Sequence, residues 1–138
     1  MGATLRKLDD APILIVIHEG FLDLKSSEEV TVKVAQVLRE SDVPLYGIID
    51  LRAATTDLSE MLKILYQQTL GSAGTLSVEK DRVVLVGSHP LIRVFRKLFH
   101  LDQFGGRIIP IFSSLDEALM AVRARIQAEA AQVQSQAE

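Results

Sequence analysis

Three short runs dominated by apolar residues set the architecture of this chain: Ile13–Ile17, Leu45–Leu51 and Arg82–Val86, reading ILIVI, LYGIIDL and RVVLV. Each is too short for an ordinary helix, is rich in β-branched residues, and lacks alternation of polar and apolar positions. That combination marks strands covered on both faces. The segments between them carry apolar residues at helical spacing. A buried strand, a helix and a second buried strand in succession imply parallel pairing through a right-handed crossover. The pattern predicts a single-domain α/β fold: a mixed, mostly parallel sheet of about five strands with four helices.

The flanking segments complete the order β-β-α-β-α-β-α-β-α. Thr4–Leu8 is a short first strand, and Asp9-Asp10-Ala11-Pro12 is a turn. His18-Glu19-Gly20 is expected to end the second strand, and Phe21–Lys25 to connect it to the first helix. Ser26 and Glu29 have the spacing of a capping box. Val30, Val34, Val37 and Leu38 then form one apolar stripe on a helix that reaches Glu40. The central strand ends at Asp50 and Arg52, and Thr55-Thr56-Asp57 is the expected turn. Asp57 and Glu60 repeat the capping-box spacing, and Leu58, Met61, Leu62 and Leu65 are the expected buried face of the second helix.

Gly71–Asp81, with two Gly and two Ser, reads as a loop. Gly87-Ser88-His89-Pro90 leads into a helix over Leu91–Phe99, with Pro90 suited to a first helical position. Gly105-Gly106 breaks the chain before a last strand, Arg107–Phe112. Pro110 cannot donate to a ladder, so this strand belongs at an edge. Ser114 and Glu117 form a third capping pair. Leu115, Ala118, Leu119, Val122 and Ile126 are the apolar face of the final helix. Apolar periodicity is lost from Gln127, so one domain is expected over residues 1–126, with residues 127–138 a frayed helix or disordered tail.

Composition narrows the functions open to such a fold. The chain has 138 residues, one ordinary domain, and 48% hydrophobic residues, enough for a packed core. Aromatics are 5% and Trp is absent, which weighs against a base-stacking surface. A net charge of −3 disfavours duplex nucleic acid, so no nucleic-acid partner is expected. With no Cys there are no disulfides, thiol nucleophiles or thiolate metal sites. The N-terminus shows no signal-peptide pattern. The apolar run Ala11–Ile17 falls far short of the roughly 20 residues that span a bilayer. A cytoplasmic protein without a transmembrane segment is expected. His18, His89 and His100 show no metal spacing, and no nucleophile-elbow, Walker or dinucleotide motif occurs. Nucleophile, base and oxyanion donors cannot be assembled from these residues, so neither an enzyme, a cofactor nor a metal is expected.

The stretch YGIIDLRAATTDLSEMLKIL resembles the middle of STAS-like domains, named after sulphate transporters and anti-sigma-factor antagonists. There a buried strand ends in an Asp-Leu pair, and a short turn leads to an Asp-Ser-type helix start. VVLVGSHPLIRVFRKLF and RIIPIFSSLDEALMAV resemble the SpoIIAA-like branch, whose fold is grouped with the CRAL-TRIO lipid carriers. The ending Phe112-x-x-Leu115-x-Glu117-Ala118-Leu119 carries that likeness, which covers Ile13 to Ile126. The resemblance implies a sheet of four or five strands, and binding or regulation in place of catalysis. It also implies a Ser at a helix start that a partner kinase phosphorylates. On this sequence Asp50 takes the strand-end acid, Asp57 the turn acid and Ser59 the phosphoacceptor. Leu58, not Ser, follows Asp57, and the turn differs in length from the family's.

The candidate sites each have a plain structural alternative. Ser59 stands at the second or third helical residue, where free amides and the helix dipole favour a phosphate; it also suits an ordinary helix start. Asp50, Arg52, Thr55, Thr56, Ser88 and His89 gather at the carboxyl edge of the sheet, where open α/β sheets bind ligands. Alternatively, Asp50 pairs with Arg52, and Ser88 or His89 caps a helix. Arg93, Arg96 and Lys97 make a basic face that fits an anionic surface, an acidic partner or plain solvent. Met61, Leu65, Leu91 and Phe95 are placed to line an apolar pocket between the second and third helices. The leading expectation is a regulatory module that meets an unidentified protein partner through residues 52–62. Its rival is a carrier of a lipid or apolar small molecule. An edge strand also invites a homodimer.

Overall fold

In the computed structural model, residues 2–69, 82–101 and 109–137 are described. β1 (Gly2–Lys7) and β2 (Ile13–Phe21) form an antiparallel hairpin. The chain then passes through α1 (Leu24–Glu40) to β3 (Tyr46–Thr55) and through α2 (Leu58–Gln68) to β4 (Val83–Val86). It continues as α3 (Pro90–His100), β5 (Ile111–Phe112) and α4 (Leu115–Ala137). The sheet has five strands in the order β1-β2-β3-β4-β5, and every pair after the first is parallel. Among the described residues this is the mostly parallel sheet with four helices that the apolar runs dictate.

Successive strand residues point to opposite faces, and both faces are covered. Ile13, Ile15, Ile48, Val84 and Val86 pack against Ala118 and Val122 of α4. On the other face Leu14 and Val16 meet the α1 stripe of Val30, Val34, Val37 and Leu38. Val83 and Leu85 meet Leu65 of α2 together with Ile92 and Phe99 of α3. Of the described helices, one thus lies on one side of the sheet and three on the other, which is why these strands read as unbroken apolar runs.

Several local expectations are corrected. β2 continues through His18-Glu19-Gly20 to Phe21, and β3 continues through Arg52 to Thr55. The two extensions pair with each other, Glu19 with Ala53, Gly20 with Ala54 and Phe21 with Thr55, after an irregularity between Ile17 and Glu19. Each strand satisfies the other's backbone groups, so polar side chains do not end them. Gly20, at φ 81°, supplies the positive dihedral within this irregular stretch.

The cap of α1 is Asp23, not Ser26: the Asp23 carboxylate accepts from the Ser26 amide at 2.8 Å and from its hydroxyl at 2.7 Å. The inward face of α2 is Met61, Ile64, Leu65, Gln67 and Gln68, whereas Leu58 and Leu62 are exposed. Leu58 and Leu62, four residues apart, share one stripe, and that stripe is turned to solvent while the Met61, Ile64, Leu65 and Gln68 side meets the sheet. β5 holds only two residues at the edge, preceded by Pro110, whose carbonyl accepts from the Leu85 amide at 2.9 Å. The expected loop Gly71–Asp81, the Gly105-Gly106 break and Arg107–Ile108 lie outside the described residues. α4 runs on to Ala137, with Gln127–Gln136 exposed. Early in this exposed stretch the Tyr46 hydroxyl bonds the Glu129 carboxylate, and Arg125 lies 5.7 Å from the Tyr46 ring centroid.

Candidate functional site

The β2–β3 extension carries the chain past the end of β4 and delivers two helix starts side by side. The Leu22 amide donates to the Thr55 carbonyl at 2.7 Å, and the Thr56 hydroxyl donates to the Leu22 carbonyl at 2.7 Å. These bonds clamp the entry of α1 to the entry of α2. Asp57 caps α2, its carboxylate accepting from the Glu60 amide at 2.8 Å. The Glu60 carboxylate turns away from its own helix start: one oxygen accepts from the Leu24 amide at 3.1 Å, and the other from Lys63 Nζ at 2.8 Å. Lys63 first, then the Leu24 amide, holds the Glu60 carboxyl below its ordinary range. The hydrogen bonds from Ser26 do the same for Asp23. Ser59, second residue of α2, is exposed between Asp57 and Glu60.

The outward face of α2 is unexpectedly apolar. Leu58, Leu62 and Tyr66, at i, i+4 and i+8, are 53%, 45% and 64% exposed. Sequence reasoning assigned Leu58 and Leu62 to the core and passed over Tyr66. The available signal was that α2 carries apolar residues on two faces, and only one face can meet the sheet.

Midway along β3, level with the last residue of β4, Asp50 is buried and Arg52 is half-exposed. Asp50 accepts from Arg52 Nε at 2.9 Å, from Nη2 at 2.8 Å and from the Arg52 amide at 3.1 Å. The guanidinium beside it holds the Asp50 carboxyl below its usual range, against the opposing effect of burial. With three hydrogen bonds from Arg52, the carboxylate is suited to structure more than to proton transfer. Ser88 and His89 are exposed at the end of β4. His89 caps α3, its Nδ1 accepting from the Leu91 amide at 3.1 Å, and Pro90 takes the first helical position. No hydrogen bond or ion pair among the described residues joins Ser88 or His89 to Asp50 or Arg52.

Beneath α1, α2 and α3 the sheet face bounds a cavity of about 150 Å³. Met61, Leu91 and Phe95 line it, whereas Leu65 packs into the core with Leu85 and Phe99. His18, buried at the end of the same β2 face, also lines it, and burial pushes its imidazole pKa down. Ser27, Thr31 and Gln68 form a polar wall. The Ser27 hydroxyl donates to Gln67 Oε1 at 2.8 Å, Gln67 Nε2 donates to the Thr31 hydroxyl at 3.0 Å, and Gln68 Nε2 donates to Gln67 Oε1 at 2.8 Å. Sequence reasoning missed this network, since polar residues within an apolar stripe give no sign of their partners.

Arg93, Arg96 and Lys97 are exposed on α3 and, with His100 and Ile111, line a surface groove. Among the described residues there is no cluster of three His, Asp or Glu able to hold a metal, and no helix long and apolar enough to cross a membrane.

No family model and no curated protein matches the chain. Solved structures do. An anti-sigma factor antagonist from Mycobacterium paratuberculosis is 25% identical, with a TM-score of 0.55 over 88% of this chain and 92% of that one. The Bacillus cell fate determinant SpoIIAA in its phosphorylated form is 16% identical, with a TM-score of 0.57 over 88% and 99%. An uncharacterised DUF3478 protein with a SpoIIAA-like fold from Shewanella loihica is 16% identical, with a TM-score of 0.57 over 88% and 92%. The chain therefore has the STAS, or SpoIIAA-like, fold.

Proposed function

We propose that this protein is a non-catalytic regulatory module that docks a protein partner on the outward face of α2. The observation that carries this reading is the exposed stripe of Leu58, Leu62 and Tyr66 beside the exposed Ser59. Large apolar groups spaced along one helix face are what a partner's groove engages. The likeness to a mycobacterial anti-sigma factor antagonist supports a protein partner. Ser59 is the proposed control point. A phosphoryl group there adds charge next to Asp57 and Glu60, with Asp23 capping the adjoining helix, so it turns a mixed surface acidic at the rim of the stripe. The test is retention of partners from extract of the native cell by immobilised protein. A partner held by the wild type and lost by Leu62→Asp supports docking here, because a charge at the centre of an interface costs on the order of 2 kcal/mol or more. Equal retention by both proteins overturns it.

The cavity under α2 favours a second reading, a carrier of a lipid or apolar small molecule. Native mass spectrometry of the purified protein tests it: a retained molecule supports the carrier, and a bare chain mass removes it.

A further inference from the structure

We infer that the cavity is a binding site for a small, uncharged, compact apolar molecule, and that its occupancy is transmitted to the docking face through α2. The size sets the first limit. A void of about 150 Å³ with aliphatic walls holds a molecule on the scale of one benzene ring.

The lining sets the chemistry. None of the described residues that bound the cavity carries a fixed charge. Its hydroxyl and amide groups at Ser27, Thr31 and Gln68 are engaged in the network with Gln67. His18 is held neutral by burial. A carboxylate or ammonium entering here would lose its hydration without gaining a counter-ion, so the occupant is neutral. The lining reaches the exposed Thr55 and His89 at the carboxyl edge of the sheet, which places the entrance there.

Gly47 keeps the space open. It shares a face of β3 with Ile49 and Leu51, and all three line the cavity. A Cβ at Gly47 would touch Val83 Cγ2 at 3.6 Å, an ordinary contact, so a methyl fits and a larger side chain grows into the void.

The link to α2 follows from its two faces. Met61, Ile64 and Gln68 line the cavity from within, while Leu58, Leu62 and Tyr66 point outward from the same three turns. A rigid helix cannot adjust one face and leave the other in place, so an occupant that presses on Met61 and Ile64 shifts the docking stripe with them. This link rests on the docking reading of α2; the ligand site does not.

The experiment is methyl and amide NMR titration of the full chain with benzene and 1-hexanol, and with hexanoate as the charged counterpart of hexanol. Saturable shifts of the Val16, Leu85 and Met61 methyl groups are expected with benzene and hexanol. Hexanoate is expected to bind at least tenfold more weakly. Gly47→Val is expected to weaken benzene at least tenfold, with the smaller Gly47→Ala in between; the hexanol-to-hexanoate ratio needs no variant. Absence of saturable shifts, equal affinity for hexanoate, or unchanged binding in both Gly47 variants overturns the site. In the same titration the Leu62 and Tyr66 amides are expected to move with the cavity methyls. Methyl saturation with those amides unmoved overturns the link, whatever Leu62→Asp does to partner retention.

Discussion

The Glu60 carboxylate accepts a hydrogen bond from the Leu24 amide at 3.1 Å, so the first turn of α2 supplies a cap to α1. The residue at the capping-box position of one helix thus serves the orphan amide of another, 36 positions earlier in sequence. The two helix entries behave as one unit. Glu60→Ala is expected to lower the melting temperature more than Glu60→Gln, which keeps an acceptor. The Glu60 carboxyl is held low in the folded state, so its contribution is full above the unfolded value of about 4.3 and is lost as pH falls through the folded value. Melting curves of the three proteins at pH 7 and at pH 3 check both points: the wild type and Glu60→Ala converge at the lower pH.

Ser59 sits within this unit, at the rim of the exposed stripe. Ser59→Glu is expected to reduce retention of a partner by roughly tenfold, on the scale of about 1.4 kcal/mol per decade. Ser59→Ala should retain it as the wild type does. Quantitative pull-down with the three proteins reads the difference, and identical retention by all three removes the switch.

Asp50 makes a different case, because it is buried and holds three hydrogen bonds from Arg52. Asp50→Asn cannot accept the bidentate fork and is expected to cost about 1–3 kcal/mol at pH 7. The Asp50 carboxyl is held low when folded, so its contribution is present above about pH 3.9 and fades as pH falls through the lower folded value. Urea unfolding at pH 7 and at pH 3 is expected to show the gap between wild type and Asp50→Asn narrowing in acid.

Two glycines separate by geometry. Gly47→Ala places its methyl in ordinary contact and trims the freedom of the unfolded chain, so it is expected to stabilise by about 0.4–1 kcal/mol. Gly87, at φ 156°, would bring a Cβ to 2.4 Å from Ile92 Cδ1. Gly87→Ala is therefore expected to destabilise by about 1–3 kcal/mol. Thermal or urea unfolding of the two variants should move the midpoint in opposite directions.

The readable part of the fold was carried by local pattern. ILIVI and VVLV announce doubly covered strands, and Val30, Val34, Val37 and Leu38 announce the face that α1 lays on them. Asp57 announces the start of α2. The strand ends were not readable. His18-Glu19-Gly20 and Ala53-Ala54-Thr55 look like turns taken singly, and become strands only because each finds the other. Of the candidate site residues, Asp50 and Arg52 meet as a pair, and His89 acts as a cap. Leu65 belongs to the core, while Met61, Leu91 and Phe95 line the cavity.

By itself, then, the sequence determined the layers: which runs are strands, and which stripe of α1 and of α4 faces them. Those are properties of spacing along a few turns of chain. Only the tertiary structure decided which apolar stripe of α2 stays outside, where Glu60 spends its carboxylate, and how much space remains beneath the helices. Each of these depends on groups brought together across tens of residues, and on how completely side chains fill the volume between layers, which no local period encodes.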